Sequence, residues 1–201
     1  MILVFLLKST SLFDMGWLGI VPRKISGLWG IFLSPFLHAN LSHLFSNLLP
    51  LWTSLIVLSI FYNKFYWFVV GSCIFFSGFF TWLIGDAKGV HVGASGLVFA
   101  LVVFIIVSGF LRKTVLLIVV GILMAFTYQF LLGGLIPNGD LTTSRISYSS
   151  HWSGVVAGVI VAFMLSHFSK NENPSNKVSL FPEGTLSKDN FSHGKKDDIT
   201  K

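Results

Sequence analysis

The chain has 201 residues, of which 53% are hydrophobic and 11% charged, with a mean hydropathy of +0.78. That balance excludes an ordinary soluble domain. The net charge of +6 therefore reads as membrane orientation rather than as affinity for nucleic acid.

In chain order, residues 1–8 are apolar up to Lys8 and too short to cross a bilayer. They lack the basic start and small-residue cleavage site of a signal peptide, and we expect the remnant of a truncated first span. Residues 9–42 form a long connection with Pro22, Pro35 and four glycines, yet it carries Trp17, Leu18, Ile20, Leu28, Trp29, Ile31, Phe32 and Phe36. A solvated loop would not expose so much apolar surface, so a partly helical segment in the membrane interface is expected. Residues 43–169 form the transmembrane core. Within it the stretches 44–62, 65–85, 91–111, 114–137 and 146–168 carry no formal charge apart from histidine, each about the ~18–20 residues needed to span hydrocarbon. The predicted fold class is thus an all-α polytopic membrane protein with five complete spans plus a truncated first span. Pro50 should kink the first complete span. Residues 170–201 turn polar and read as a disordered tail. The one cysteine, Cys73, lies mid-span and behaves as a small hydrophobe.

Lys64, Arg112, Lys113 and the six lysines of the tail fall on one side of a five-span zigzag, against Lys8, Arg23, Lys24, Lys88 and Arg145 on the other. Nine against five favours a cytoplasmic tail. The starts of the first, third and fifth complete spans then face outward together. Those starts carry His43 with Asn47, Ser95 within Gly93-Ala94-Ser95-Gly96, and His151 followed by Gly154 and Gly158. Polar groups in hydrocarbon are expensive unless partnered, which makes a functional centre the default reading.

Gly-x-Ser-Gly alone is a weak signal, and a small-residue packing motif is an equal reading of it. The soluble hydrolase elbow fails because its second glycine would stand at Leu97. A serine in the first turn of a membrane helix instead has free N–H groups and the positive dipole end close by. His151 with Gly154 and Gly158 at i+3 and i+7 forms one smooth helical face, able to approach a partner helix and bring a base to a hydroxyl. On this reading valine at 158 pries the helices apart and alanine is milder. His43 and Asn47 share a face and offer donors for an oxyanion, whereas His38 lies off that face. Zinc ligation by His38, His43, His91 and His151 lacks a His-Glu-x-x-His pair or any carboxylate within a span.

The ordered set His38-Ala39-Asn40-Leu41-Ser42-His43-Leu44-Phe45-Ser46-Asn47, then Gly93-Ala94-Ser95-Gly96, then His151-Trp152-Ser153-Gly154 to Gly158 resembles the rhomboid family of intramembrane serine proteases, over roughly residues 17–168. The resemblance implies a six-helix bundle and a Ser/His dyad cleaving transmembrane protein substrates, with no cofactor, metal or nucleic acid. It implies Ser95 as nucleophile and His151 as base, an oxyanion hole of His43, Asn47 and the Ser95 N–H, and substrate-binding or packing roles for Gly93, Gly96, Phe99, Gly154 and Gly158. Two positions depart from the pattern. The arginine that often follows the loop tryptophan is Gly30, and a tyrosine that stacks on the base is Phe99, which keeps the stacking surface without the hydroxyl. Rival readings are a non-catalytic rhomboid-like protein that binds transmembrane helices, and a small transporter, for which the matching broken halves are absent. The expected setting is the bilayer of a bacterial plasma membrane, with the tail cytoplasmic.

Overall fold

A computed structural model describes residues 1–9, 16–87, 89–128 and 147–171, and within them the architecture is a bundle of α-helices with no strand beyond one isolated bridge. The helices are α1 (Ile2–Ser9), α2 (Gly30–Leu33), α3 (Leu41–Phe61), α4 (Tyr66–Ile84), α5 (Ser95–Leu111), α6 (Val115–Thr127) and α7 (Tyr148–Asn171). Three of the helical stretches are long and apolar enough to cross a membrane: Leu41–Phe61, Asn63–Ile84 and Tyr148–Phe168. Ser95–Leu111 and Val115–Thr127 are shorter apolar helices. At about 1.5 Å per residue α5 is roughly 25 Å long. The expected span 91–111 thus loses its first turn, because His91 pairs with Ile20 and the Gly93 N–H with Ser34 O before α5 begins at Ser95. The second half of the expected span 114–137, the connection that follows it, and the polar tail lie outside the described residues.

α5 is the centre of the bundle. Its residues from Ser95 to Val102 are all buried, as are Phe104, Ile105, Ser108 and Gly109, as expected of a helix apolar all round and enclosed by others. It packs most extensively on α7, then on α6, α4 and α3, while α4 also lies along α7. In lipid, apolar surface alone does not drive helices together, so close backbone packing must do so. The seam between α5 and α7 supplies it. A Cβ at Gly154 would collide with the Gly96 carbonyl, and one at Gly158 with the Ala100 carbonyl as well as standing 2.9 Å from Val103 Cβ. Alanine at 158, though the smaller change of the two, therefore carries a cost of its own, since the first carbon already meets backbone.

The segment before α3 is built of short turns, at Gly16–Leu18, Ile25–Gly27, α2 and Ser34–Phe36. It straps onto the ends of α4 and α5. Ile20 and His91 exchange two backbone hydrogen bonds of 2.9 Å, and the Gly93 N–H donates to Ser34 O at 3.0 Å. The strap also completes the end of α4. Of the carbonyls that a helix end leaves without partners, Thr81 O accepts from Gly85 N, Trp82 O accepts from Arg23 N, and Leu83 O accepts from Arg23 Nη1. Arg23 reaches Gly85 O too, at 2.9 Å, and the Trp82 indole donates to Lys24 O at 2.9 Å. A cation is favoured at this negative end of the helix dipole, which offsets the positive φ of 57° that Arg23 adopts. At Gly30 a Cβ would run into Gly19 and Ile20 backbone, so the position after Trp29 has no room for a side chain.

At the opposite end of α5, Tyr62 is buried and its hydroxyl lies 2.6 Å from Ser108 Oγ. The Arg112 guanidinium covers the Tyr62 ring at 4.7 Å, a cation–π contact worth about 0.5–2 kcal/mol. α3 and α5 are tied together there by polar atoms. α3 itself runs unbroken through Pro50.

Gly154→Ala and Gly158→Ala should each lower thermal stability in detergent, by about 1–3 kcal/mol for a side chain forced into filled space, with Gly158→Val worse. Gly71→Ala, with nothing within 4 Å of its new carbon, should be neutral or slightly stabilising. Melting temperatures of the four variants check this ordering.

Candidate functional site

One end of the bundle gathers most of the residues singled out from the sequence. α3 starts there because Asn40 is a good N-cap, its side chain accepting the His43 N–H at 2.8 Å. That fixes His43 in the first turn and Asn47 one turn deeper. Asn47 is 1% exposed, and its Nδ2 donates to His43 O at 2.7 Å. One amide proton is thus committed to its own helix while the second is available, and Oδ1 is buried with no hydrogen-bond partner.

Gly93 joins α3 to α5. Its φ of +117° is a backbone state that residues with side chains rarely adopt, and a Cβ would stand 2.5 Å from His43 Cε1 and 2.7 Å from its Nε2. The imidazole of His43 therefore rests on the backbone two residues before Ser95. His38 is fully buried beside it, the two rings edge to face at 5.2 Å. His38 precedes α3 and lies off the face of His43 and Asn47, yet the chain path from Leu37 to Asn40 returns it to His43.

Ser95 begins α5 and is 8% exposed. The residue before it, Ala94, has no side chain able to cap the helix, which leaves the first-turn N–H groups facing the site with the positive dipole end. α7 begins against this same turn: a Cβ on Gly96 would lie 2.8 Å from Ser150 Oγ. His151, 6% exposed, stacks on Phe99 with ring centroids 4.5 Å apart at 24°. Phe99 comes one turn after Ser95 on α5, so the stack orients the imidazole from the helix that carries the serine. Gly154 lets α7 descend onto Gly96. Among the described residues no three His, Cys, Asp or Glu side chains come together in a metal-binding group.

The sequence marks His91 only as a possible metal ligand. Its Nδ1 lies 2.6 Å from Ser147 Oγ and its Nε2 3.1 Å from Asp86 O, so it bridges the approach to α5 and the start of α7. Nothing local marks this, because the partners are 56 residues apart.

Gly93→Ala should destabilise the protein, since a strained backbone conformation costs about 1–3 kcal/mol and the new carbon would displace His43. Gly89→Ala, where a Cβ meets nothing within 4 Å, should have no such effect. Thermal unfolding of both in detergent separates the two.

Residues 26–168 match the rhomboid domain. The uncharacterized protein Rv1337 of Mycobacterium tuberculosis is 36% identical over 154 residues, covering 74% of this chain and 63% of that protein. The uncharacterized protein ML1171 of Mycobacterium leprae is 34% identical over 155 residues, covering 74% of this chain and 60% of that protein. The chain thus spans about three-fifths of the length of these relatives. With a domain match over well more than half of its residues, apolar helices of membrane-spanning length, and His43, Ser95 and His151 at one end of the bundle, this integral membrane protein belongs to the rhomboid family.

Proposed function

We propose that the chain is an intramembrane serine endopeptidase that cleaves transmembrane protein substrates with Ser95 and His151. The observation that carries the reading is the meeting of the first turns of α5 and α7, with His151 stacked on Phe99 above the Gly96–Gly154 contact and His43 laid on Gly93. In the proposed reaction Ser95 Oγ attacks the scissile carbonyl while His151 takes its proton. The oxyanion is held by the Ser95 N–H, the second Nδ2 proton of Asn47 and the His43 ring. Collapse transfers the proton from His151 to the leaving amine and leaves an acyl-enzyme, which water hydrolyses with His151 again as base. No carboxylate is required to orient the base, because the Phe99 ring fixes its plane. Substrates must unwind locally near the site, since a helical segment in lipid keeps its carbonyls hydrogen-bonded.

We further assign α5 and α6 as crossing segments, for five complete spans, with the site toward the outer leaflet and the tail cytoplasmic. The lysine and arginine distribution supports that orientation. The mycobacterial relatives support a bacterial plasma membrane.

Ser95→Ala and His151→Ala should each abolish cleavage of a single-span test substrate and labelling by a serine-directed fluorophosphonate, while the melting temperature stays near wild type. Turnover close to wild type in either variant would remove the dyad. Labelling absent from the folded wild-type chain would favour a non-catalytic, helix-binding member of the family. Asn47→Ala should slow the chemical step by roughly 10- to 1,000-fold, the scale of losing one oxyanion donor. Weakened substrate binding with an unchanged chemical rate would make Asn47 a packing contact.

A further inference from the structure

We infer that His91 is a positioning residue that sets the register between the Ser95 helix and the His151 helix, an inference that rests on the proposed protease reading. The directions of its hydrogen bonds follow from the partners. Asp86 O is a carbonyl and can only accept, so the ring proton is on Nε2 and is donated across 3.1 Å. Nδ1 then accepts, and its partner at 2.6 Å is the Ser147 hydroxyl. That hydroxyl oxygen in turn accepts the Ser150 N–H at 3.2 Å, while Ser147 O accepts the His151 N–H at 3.2 Å. Ser147 is therefore the N-cap of α7, and its capping geometry is held from outside by His91. Bonds in such a chain polarise one another and favour a single arrangement.

The spacing gives the contact its consequence. His91 lies four residues before Ser95, and Ser147 four residues before His151. One hydrogen bond thus joins points equally far along the chain ahead of the nucleophile and of the base. The backbone of His91 is fixed separately, by its two bonds to Ile20, and Gly85 leaves room for the ring, a Cβ there lying 3.0 Å from Nε2. His91 is accordingly where the strap, the end of α4 and the start of α7 meet. Its loss would let α7 shift along α5 without removing any group that touches the reacting atoms.

The test uses the full chain in detergent and a rhodamine-tagged fluorophosphonate, whose inactivation kinetics resolve a maximal rate kinact and a binding constant KI. His91→Asn keeps an acceptor near the position of Nδ1, His91→Gln keeps a donor near Nε2, and His91→Phe keeps only the ring. Because misplacement of reacting groups by about 1 Å can cost up to ~100-fold, kinact should fall about tenfold or more in His91→Phe and His91→Gln but stay within about threefold in His91→Asn, with KI little changed in all. A purely structural role for the ring would predict the reverse, with Phe the better substitute. Wild-type kinact in His91→Phe, or equal losses in Phe and Asn, would overturn the inference. Should His91→Phe fail to fold, Ser147→Ala and Ser147→Thr test the same bond from its other end: Ala should be slow and Thr near wild type, and wild-type kinact in Ser147→Ala would overturn it. Ser95→Ala is the control that keeps the two levels apart, since labelling that survives it counts against the protease reading itself.

Discussion

Lipid tails solvate a leucine side chain as well as another helix does, so a bundle in a membrane cannot rely on apolar burial to choose its partners; it relies on how near two backbones can come. In this chain that nearness is concentrated on one seam. The faces of α5 and α7 meet where Gly96, Gly154 and Gly158 remove side chains from the contact, and the carbonyls of Gly96 and Ala100 occupy the space. The seam sets how closely the two helices lie. The stacking of His151 on Phe99 depends on that closeness, as does the approach of Ser150 to Gly96.

The strap of residues 16–36 meets a different demand. Helix ends inside or near a bilayer carry polar backbone atoms that must find partners, and the strap answers for α4 with Arg23 and for the approach to α5 with Ile20 and Ser34. Holding His91 against Ile20, and Gly93 at a φ of +117° against Ser34, it delivers the chain into α5 so that the helix starts at Ser95 itself. The site is thus shaped from two directions, along the seam and across the strap.

Much of this was legible in the residues. The polar groups at 43, 47, 95 and 151 stand out because each interrupts a long apolar run, and the glycine spacing after His151 announces a packed face. Two things were hidden for physical reasons. An apolar run from 91 to 111 looks like continuous helix, since hydropathy measures affinity for lipid and is blind to the Ile20–His91 bridge that overrides helix formation for four residues. The neighbourhoods of His38 and His91 were invisible because helical periodicity relates residues only within one helix, whereas these two act from connecting segments on elements they do not belong to. The cost that alanine at 158 carries on its own is hidden for a related reason. Side-chain volume is a property of sequence, but the distance to a neighbouring carbonyl is not.

Gly30 and Arg23 divide the work of the strap between them. Gly30 is pressed on the backbone of Gly19 and Ile20, while the guanidinium of Arg23 serves the carbonyl end of α4. The strap therefore folds tightly on itself at one position and reaches out to a helix end at another, and it tolerates added bulk at the first and a lost charge at the second equally badly.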